Sequence, residues 1–307
     1  MSNSKIYIYL TTLICLTFLL SCDFTQKSES KGINSESQGQ KEVNQEIFIE
    51  NDNQNNPIIL EQGKTIQSRF SLPNNFERIH INPNSFGQYL RQLPLKPNGS
   101  SVSFFNGTIK SNNNIYLAVV DQSIGNKDLH QCADAIMRLI AEYHWTNKEY
   151  DKIHFNLTNG FRVDYAKWIT GKRIKVVGNK TEWIDSKPAS NTYKDFWSYI
   201  EFIFSYAGTA SLSKESKKVN WGDMQIGDIL IQGGYPGHAV VVVDMASNKA
   251  TGEIIYMLAQ SYMPAQEAQI LCNPKNPKSP WYNSIDSGNV VTPEWIFKKE
   301  DLVRFEE

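Results

Sequence analysis

The chain has 307 residues, 40% of them apolar and 21% charged, with a net charge of −1. That is material for one sizeable core or two small ones. The even charge balance gives no electrostatic case for a nucleic-acid partner, and no basic run is long enough to make one locally. Four cysteines stand at positions 15, 22, 132 and 272. They follow no zinc or redox spacing, and a disulfide between Cys132 and Cys272 stays open at this level.

The opening segment, MSNSKIYIYLTTLICLTFLLSC, places one lysine before an apolar run from Ile6 to Leu20. Such a run is too short and wrongly flanked for a stable membrane span. It ends in Leu19-Leu20-Ser21-Cys22 and resembles the lipobox of bacterial lipoproteins. The resemblance implies cleavage before Cys22, acylation of its thiol and anchorage to a bacterial membrane, with the outer membrane expected. From Asp23 to Asn56 the chain is rich in Ser, Gln, Glu, Asn and Lys and nearly empty of large apolar residues, so it cannot bury enough surface to fold. We read residues 1–22 as a signal peptide, 23–65 as a tether and 66–307 as a single α+β domain.

Within the domain, SFGQYLRQL (85–93) reads as a short helix capped by Ser85. SVSFFNGTIK carries Asn106-Gly107 between alternating residues, a hairpin signal, and IYLAVVD reads as a strand. DLHQCADAIMRLIAEYHW predicts a helix: Asp128 and Gln131 have capping-box spacing, and Leu129, Cys132, Ile136, Leu139, Ile140 and Tyr143 recur on one face. KIHFNL and RIKVVGNKTEW suggest strands, and YKDFWSYIEFIFSYAG suggests an aromatic helix stopped by Gly208. GDILIQGG, GHAVVVVD and EIIYMLAQSY are three strand-like segments joined by turns. The run Ala239–Val243 has no polar break, as expected of a strand buried on both faces. Pro-rich loops holding SPWY and TPEW follow, and DLVRF closes the chain as a short strand or helix end. Helices in front and strands behind suggest an α+β domain.

Three residues make a candidate constellation. A thiol nucleophile needs a depressed pKa, a base within reach and a group that orients the base. Cys132, in the first helical turn if Asp128 is the cap, is favoured as a thiolate by unpaired N–H groups and the helix dipole. His238 opens a core strand directly after the glycine-rich turn Gly-Gly-Tyr-Pro-Gly and is placed to act as base. Gln260, near the end of the next strand, is placed to accept the imidazole N–H and fix its tautomer. Each has a plainer reading: core packing for Cys132, loop closure for His238, a strand end for Gln260. Asp244 is a competitor for the orienting position, but it closes the same strand that His238 opens and should lie far from it.

The order GDILI…GHAVVVVD…AQS, with a helix-start cysteine upstream, resembles the NlpC/P60 branch of papain-like cysteine hydrolases. That resemblance implies a papain-like α+β domain, with a helix packed on an antiparallel sheet, and catalysis by Cys132, His238 and Gln260. It is carried by those residues and by Gly227-Asp228. The chain departs from the pattern in having Gln131 and Ala133 beside the cysteine, and about a hundred residues between cysteine and histidine. Over a longer stretch, QCADAIMRL, GGYPGHAVVVVD, LAQSYMPAQ, SPWY and TPEW resemble a family of bacterial lipoproteins of uncharacterised function, which implies no activity. Trp281, Tyr282 and Trp295 either form an aromatic wall for substrate or staple their loops to the domain. No motif calls for a metal or cofactor. The expected function is an envelope cysteine hydrolase cutting an amide bond, with peptidoglycan stem peptides as candidate substrates. The alternative is a non-catalytic lipoprotein that binds a glycan or peptide.

Overall fold

The longest strand runs for 11 residues, His238–Asn248, where a run of valines favours the extended pleat. In this computed structural model, which describes residues 57–286 and 288–306, it lies near the middle of a nine-stranded sheet. The leader with Cys22, and the stretch 23–56, lie outside the described residues. Across the sheet the strands are Tyr116–Val119, Gln269–Leu271, Ile254–Gln260, His238–Asn248, Ile229–Gln232, Leu302–Phe305 and Ser216–Lys218. Phe76–Arg78 pairs with the far end of the valine strand, and Tyr282–Asn283 with the start of Ile254–Gln260. Every pairing is antiparallel, and the domain is α+β.

Alternation along the valine strand explains its composition. Ala239, Val241 and Val243 enter the core shared with the helices, while Val240 and Val242 enter a second core on the opposite face. Both faces are buried, so a polar side chain on either needs a partner. At a bulge Met257 stands opposite Asp244 but Leu258 opposite Val242. Asp244 is fully buried there, held by Arg78 Nε at 2.7 Å and Arg91 Nε at 2.5 Å. Those two ion pairs account for it and remove it as a partner of His238.

The cysteine helix spans Cys132–Thr146 and is buried on nearly every side, not along one stripe. It packs on the valine strand and on the helix Tyr193–Tyr206, whose Phe196, Tyr199, Ile200 and Ile203 complete the main core. Its cap is Gln131, not Asp128. The Gln131 N–H donates to Asp134 Oδ2 at 3.0 Å, whereas Asp128 Oδ1 accepts from Gln131 Nε2 and from the distant Ala265 N–H at 2.6 Å. Cys132 is therefore the first helical residue.

Ser85 caps Phe86–Arg91 as expected. The Asn106-Gly107 turn holds a single bridge, Ser103 to Ile109, and not a full hairpin. The aromatic helix ends at Tyr206, and Gly208 leads into a further helix, Thr209–Glu215, that periodicity did not reveal. Residues assigned to the end of the tether belong to the fold: Ile58 and Ile59 pack on the main core, and Thr65 caps the short helix Ile66–Arg69.

Candidate active site

The turn before His238 is built around glycine. Gly234 has φ +123°, and a Cβ on Gly237 would stand 2.5 Å from Gly234 O and 2.6 Å from Thr209 Oγ1. Glycine lets the turn lie flat against the start of the Thr209–Glu215 helix, and His238 enters the strand 1% exposed. Its ring centroid lies 4.7 Å from Tyr262, 5.4 Å from Trp295 and 5.9 Å from Phe297.

Its Nε2 is 2.8 Å from Gln260 Oε1. The other end of that amide, Gln260 Nε2, donates to Glu294 Oε2 at 2.6 Å. A carboxylate only accepts, so the amide must turn its NH2 to Glu294 and its carbonyl to the histidine. His238 Nε2 then carries the proton, and Nδ1 keeps the free lone pair. The expected pairing of His238 with Gln260 is present, and the tautomer follows from the network.

A separate set of contacts brings the cysteine to this end of the sheet. Ser261 Oγ, one residue after Gln260, bonds His130 O at 2.9 Å and Gln266 O at 2.7 Å. His130 Nδ1 donates to Gln266 O at 3.1 Å. The lead-in to the cysteine helix is thus stitched to the segment after Gln260. Cys132 and His238 line one cleft of about 370 Å³ with Asp134, Thr209, Tyr262 and Trp295. Backbone N–H groups near the sulfur, those of Ala133, Ala239 and Cys132 itself, favour its thiolate.

Burial outweighs them. Desolvation, assisted by the neighbouring Asp134, pushes the thiol up to about 11. Desolvation also takes His238 down to about 4, against the Gln260 hydrogen bond and with Lys110 adding to the fall. The resting groups are a neutral thiol and a neutral imidazole, not the depressed thiol that the helix start alone suggests. Two helical N–H groups and a dipole end do not offset the burial of Cys132, which is 8% exposed. Asp134 is itself buried, with its carboxyl pushed well above the usual range by desolvation and its Oδ1 without a hydrogen-bond partner.

The three candidate aromatics separate. Trp295 lies in the cleft, with Nε1 on Gln232 Oε1 at 3.0 Å. Trp281 and Tyr282 are buried away from it: Trp281 Nε1 holds Ser71 O at 3.0 Å, and Tyr282 donates to Cys272 O at 2.6 Å while stacking on Tyr256. Both act as staples. Cys132 and Cys272 are free thiols. Sequence reasoning missed Tyr262, Asp134, Glu294 and Lys110. Tyr262 carried a signal, since it follows Gln260 by two residues in the segment EIIYMLAQSY that reads as one strand, although the strand itself ends at Gln260. Glu294 carried none, because the hairpin Val290–Val291 with Ile296–Phe297 brings its turn in from far along the chain.

A larger cavity, about 570 Å³, opens at the other end of the valine strand, near Met245. Its ionisable lining is His80, Asp228 and Arg304, and the last two bind each other at 2.6 and 2.9 Å. Asp228, opening the strand after Gly227, is thereby structural. Cys132 and His238 both line the smaller cleft. Among protein families, the one described as a domain of unknown function (4846) matches residues 66–304, and the chain belongs to it. No curated protein and no solved structure matches the chain.

Proposed function

We propose that this member of the family is a cysteine hydrolase of the bacterial cell envelope, with a papain-like arrangement of Cys132, His238 and Gln260 that cuts an amide bond. The observation that carries the reading is one cleft lined by a helix-start thiol and by a histidine whose Nε2–H is held by Gln260, leaving Nδ1 to accept a proton. As the Cys132 sulfur attacks the carbonyl carbon, Nδ1 takes the thiol proton. The developing oxyanion is met by N–H groups at the helix start. The imidazolium then protonates the leaving nitrogen, the C–N bond breaks, and an acyl thioester stays on Cys132. Water, deprotonated by Nδ1, cleaves the thioester and restores both neutral groups. A neutral resting pair suits this sequence because charge separates only as the bond to substrate forms.

Peptidoglycan stem peptides are the proposed amides. That choice rests on the lipobox-like leader, which would hold the enzyme at a membrane surface through a lipid on Cys22, with residues 23–56 as tether. Full-length protein incubated with purified muropeptides should release new amine and carboxylate ends detectable by mass spectrometry, and Cys132→Ala should abolish them. The depth at which the thiol is buried favours a second reading, a non-catalytic lipoprotein that binds a glycan or peptide in the same cleft. Absence of turnover and of any covalent adduct, together with muropeptide binding that survives Cys132→Ala, would select it. Metabolic labelling with a clickable fatty acid tests the anchor. Label that persists in Cys22→Ser removes Cys22 as the acylated residue.

A further inference from the structure

We infer that Glu294, pinned by Lys110, is a positioning residue that decides which nitrogen of His238 is free, by fixing the direction of the Gln260 amide. Its consequence for catalysis rests on the hydrolase reading; its geometry does not.

A glutamine amide is nearly symmetric in shape, so packing alone barely distinguishes its oxygen from its nitrogen. If the NH2 faced the imidazole, Nε2 would have to accept and Nδ1 would carry the proton. His238 could then take no proton at Nδ1. Direction is imposed from the far side by groups that each work in one sense. Gln266 Nε2 donates to Pro264 O at 3.1 Å, which turns Gln266 Oε1 towards Lys110. Lys110 can only donate, and Nζ does so to Gln266 Oε1 and to Glu294 Oε2, both at 2.9 Å. Glu294 can only accept, and the same Oε2 takes the Gln260 NH2 at 2.6 Å. The Gln260 carbonyl is left to His238 at 2.8 Å. From lysine to imidazole every link has one allowed polarity. The Lys110 side chain is 7% exposed and that of Glu294 18%, and Lys110 also stands 5.8 Å from the ring of Tyr262, which packs on His238. An ion pair serving stability alone would not need to end on the amide that holds the histidine.

The test reads the tautomer directly. Full-length protein labelled with 15N-histidine is examined at neutral pH by long-range proton–nitrogen correlation, with His238 assigned by its loss in His238→Gln. Wild type should show the proton on Nε2. Glu294→Gln, which keeps an acceptor oxygen for Gln260, should retain that state. Glu294→Met, which removes the acceptor, should populate the Nδ1–H form and lower turnover by at least about tenfold, as expected when a general base is partly lost. An Nδ1–H tautomer in wild type, or a tautomer unchanged in Glu294→Met, overturns the inference; the wild-type measurement decides if that variant does not fold. Tautomers that behave as expected without turnover would remove the hydrolase reading and leave the clamp. Turnover with tautomer and rate untouched by Glu294→Met would do the reverse.

Discussion

The protonation state of Cys132 should be readable from how fast it is alkylated as pH is raised. With the thiol at about 11 and His238 at about 4, moving the proton from sulfur to imidazole is opposed by about seven pKa units before the charges attract. A contacting thiolate–imidazolium pair at an effective dielectric constant of about 20 gains roughly 4 kcal/mol, or about three units. A deficit of about four units remains, so the ion pair is roughly one molecule in ten thousand. Iodoacetamide reacts with the thiolate, and its rate therefore follows the thiolate fraction. Between pH 7 and pH 10 that fraction rises about a thousandfold for a thiol at about 11, but only about thirtyfold, levelling off, for an ordinary thiol at about 8.5. Mass spectrometry of the Cys132 peptide in a Cys272→Ser background follows the rate, with circular dichroism confirming the native fold at each pH. A rate that rises about thirtyfold or less between pH 7 and pH 10 would mean a thiolate population far above about one in ten thousand and would refute the argument from burial.

The buried neutral histidines should make stability fall in acid. His238 is held at about 4 and His130, buried beneath Gln266 with Arg138 nearby, at about 3, against about 6.5 in an unfolded chain. As pH drops below that value the unfolded state takes up protons that the folded state refuses, so each histidine withdraws roughly 2–3 kcal/mol between pH 7.5 and pH 4.5. Asp134, raised in the fold, acts in the opposite sense, so the comparison is between wild type and His238→Gln by urea unfolding at both pH values; parallel pH dependences would contradict the assignment. Gly237→Ala should cost at least about 1–3 kcal/mol, the range for overpacking, because its Cβ would meet Thr209 and Gly234; an unchanged melting temperature would mean that the turn before His238 is free to shift.

Local signals in the chain were enough for the valine strand, the two long helices and the turn before His238. An unbroken apolar run has to be buried on both faces, helical spacing and a Ser85 cap announce themselves within a few residues, and a glycine cluster marks a turn. The pairing of His238 with Gln260 was legible for a similar reason. Neighbouring antiparallel strands with Ala259 opposite Val241 place Gln260 diagonal to His238 on one face. What tertiary structure alone decided are the quantities summed over distant segments. The lead-in to Cys132 reaches this edge through Ser261 and Gln266, and the amide of Gln260 takes its direction from Glu294 and Lys110, which lie 184 residues apart. The charge state of the thiol is set the same way. A helix start favours a thiolate from a few residues of sequence, but desolvation depends on every group that excludes water, and the cleft around Cys132 alone is lined by five stretches of the chain.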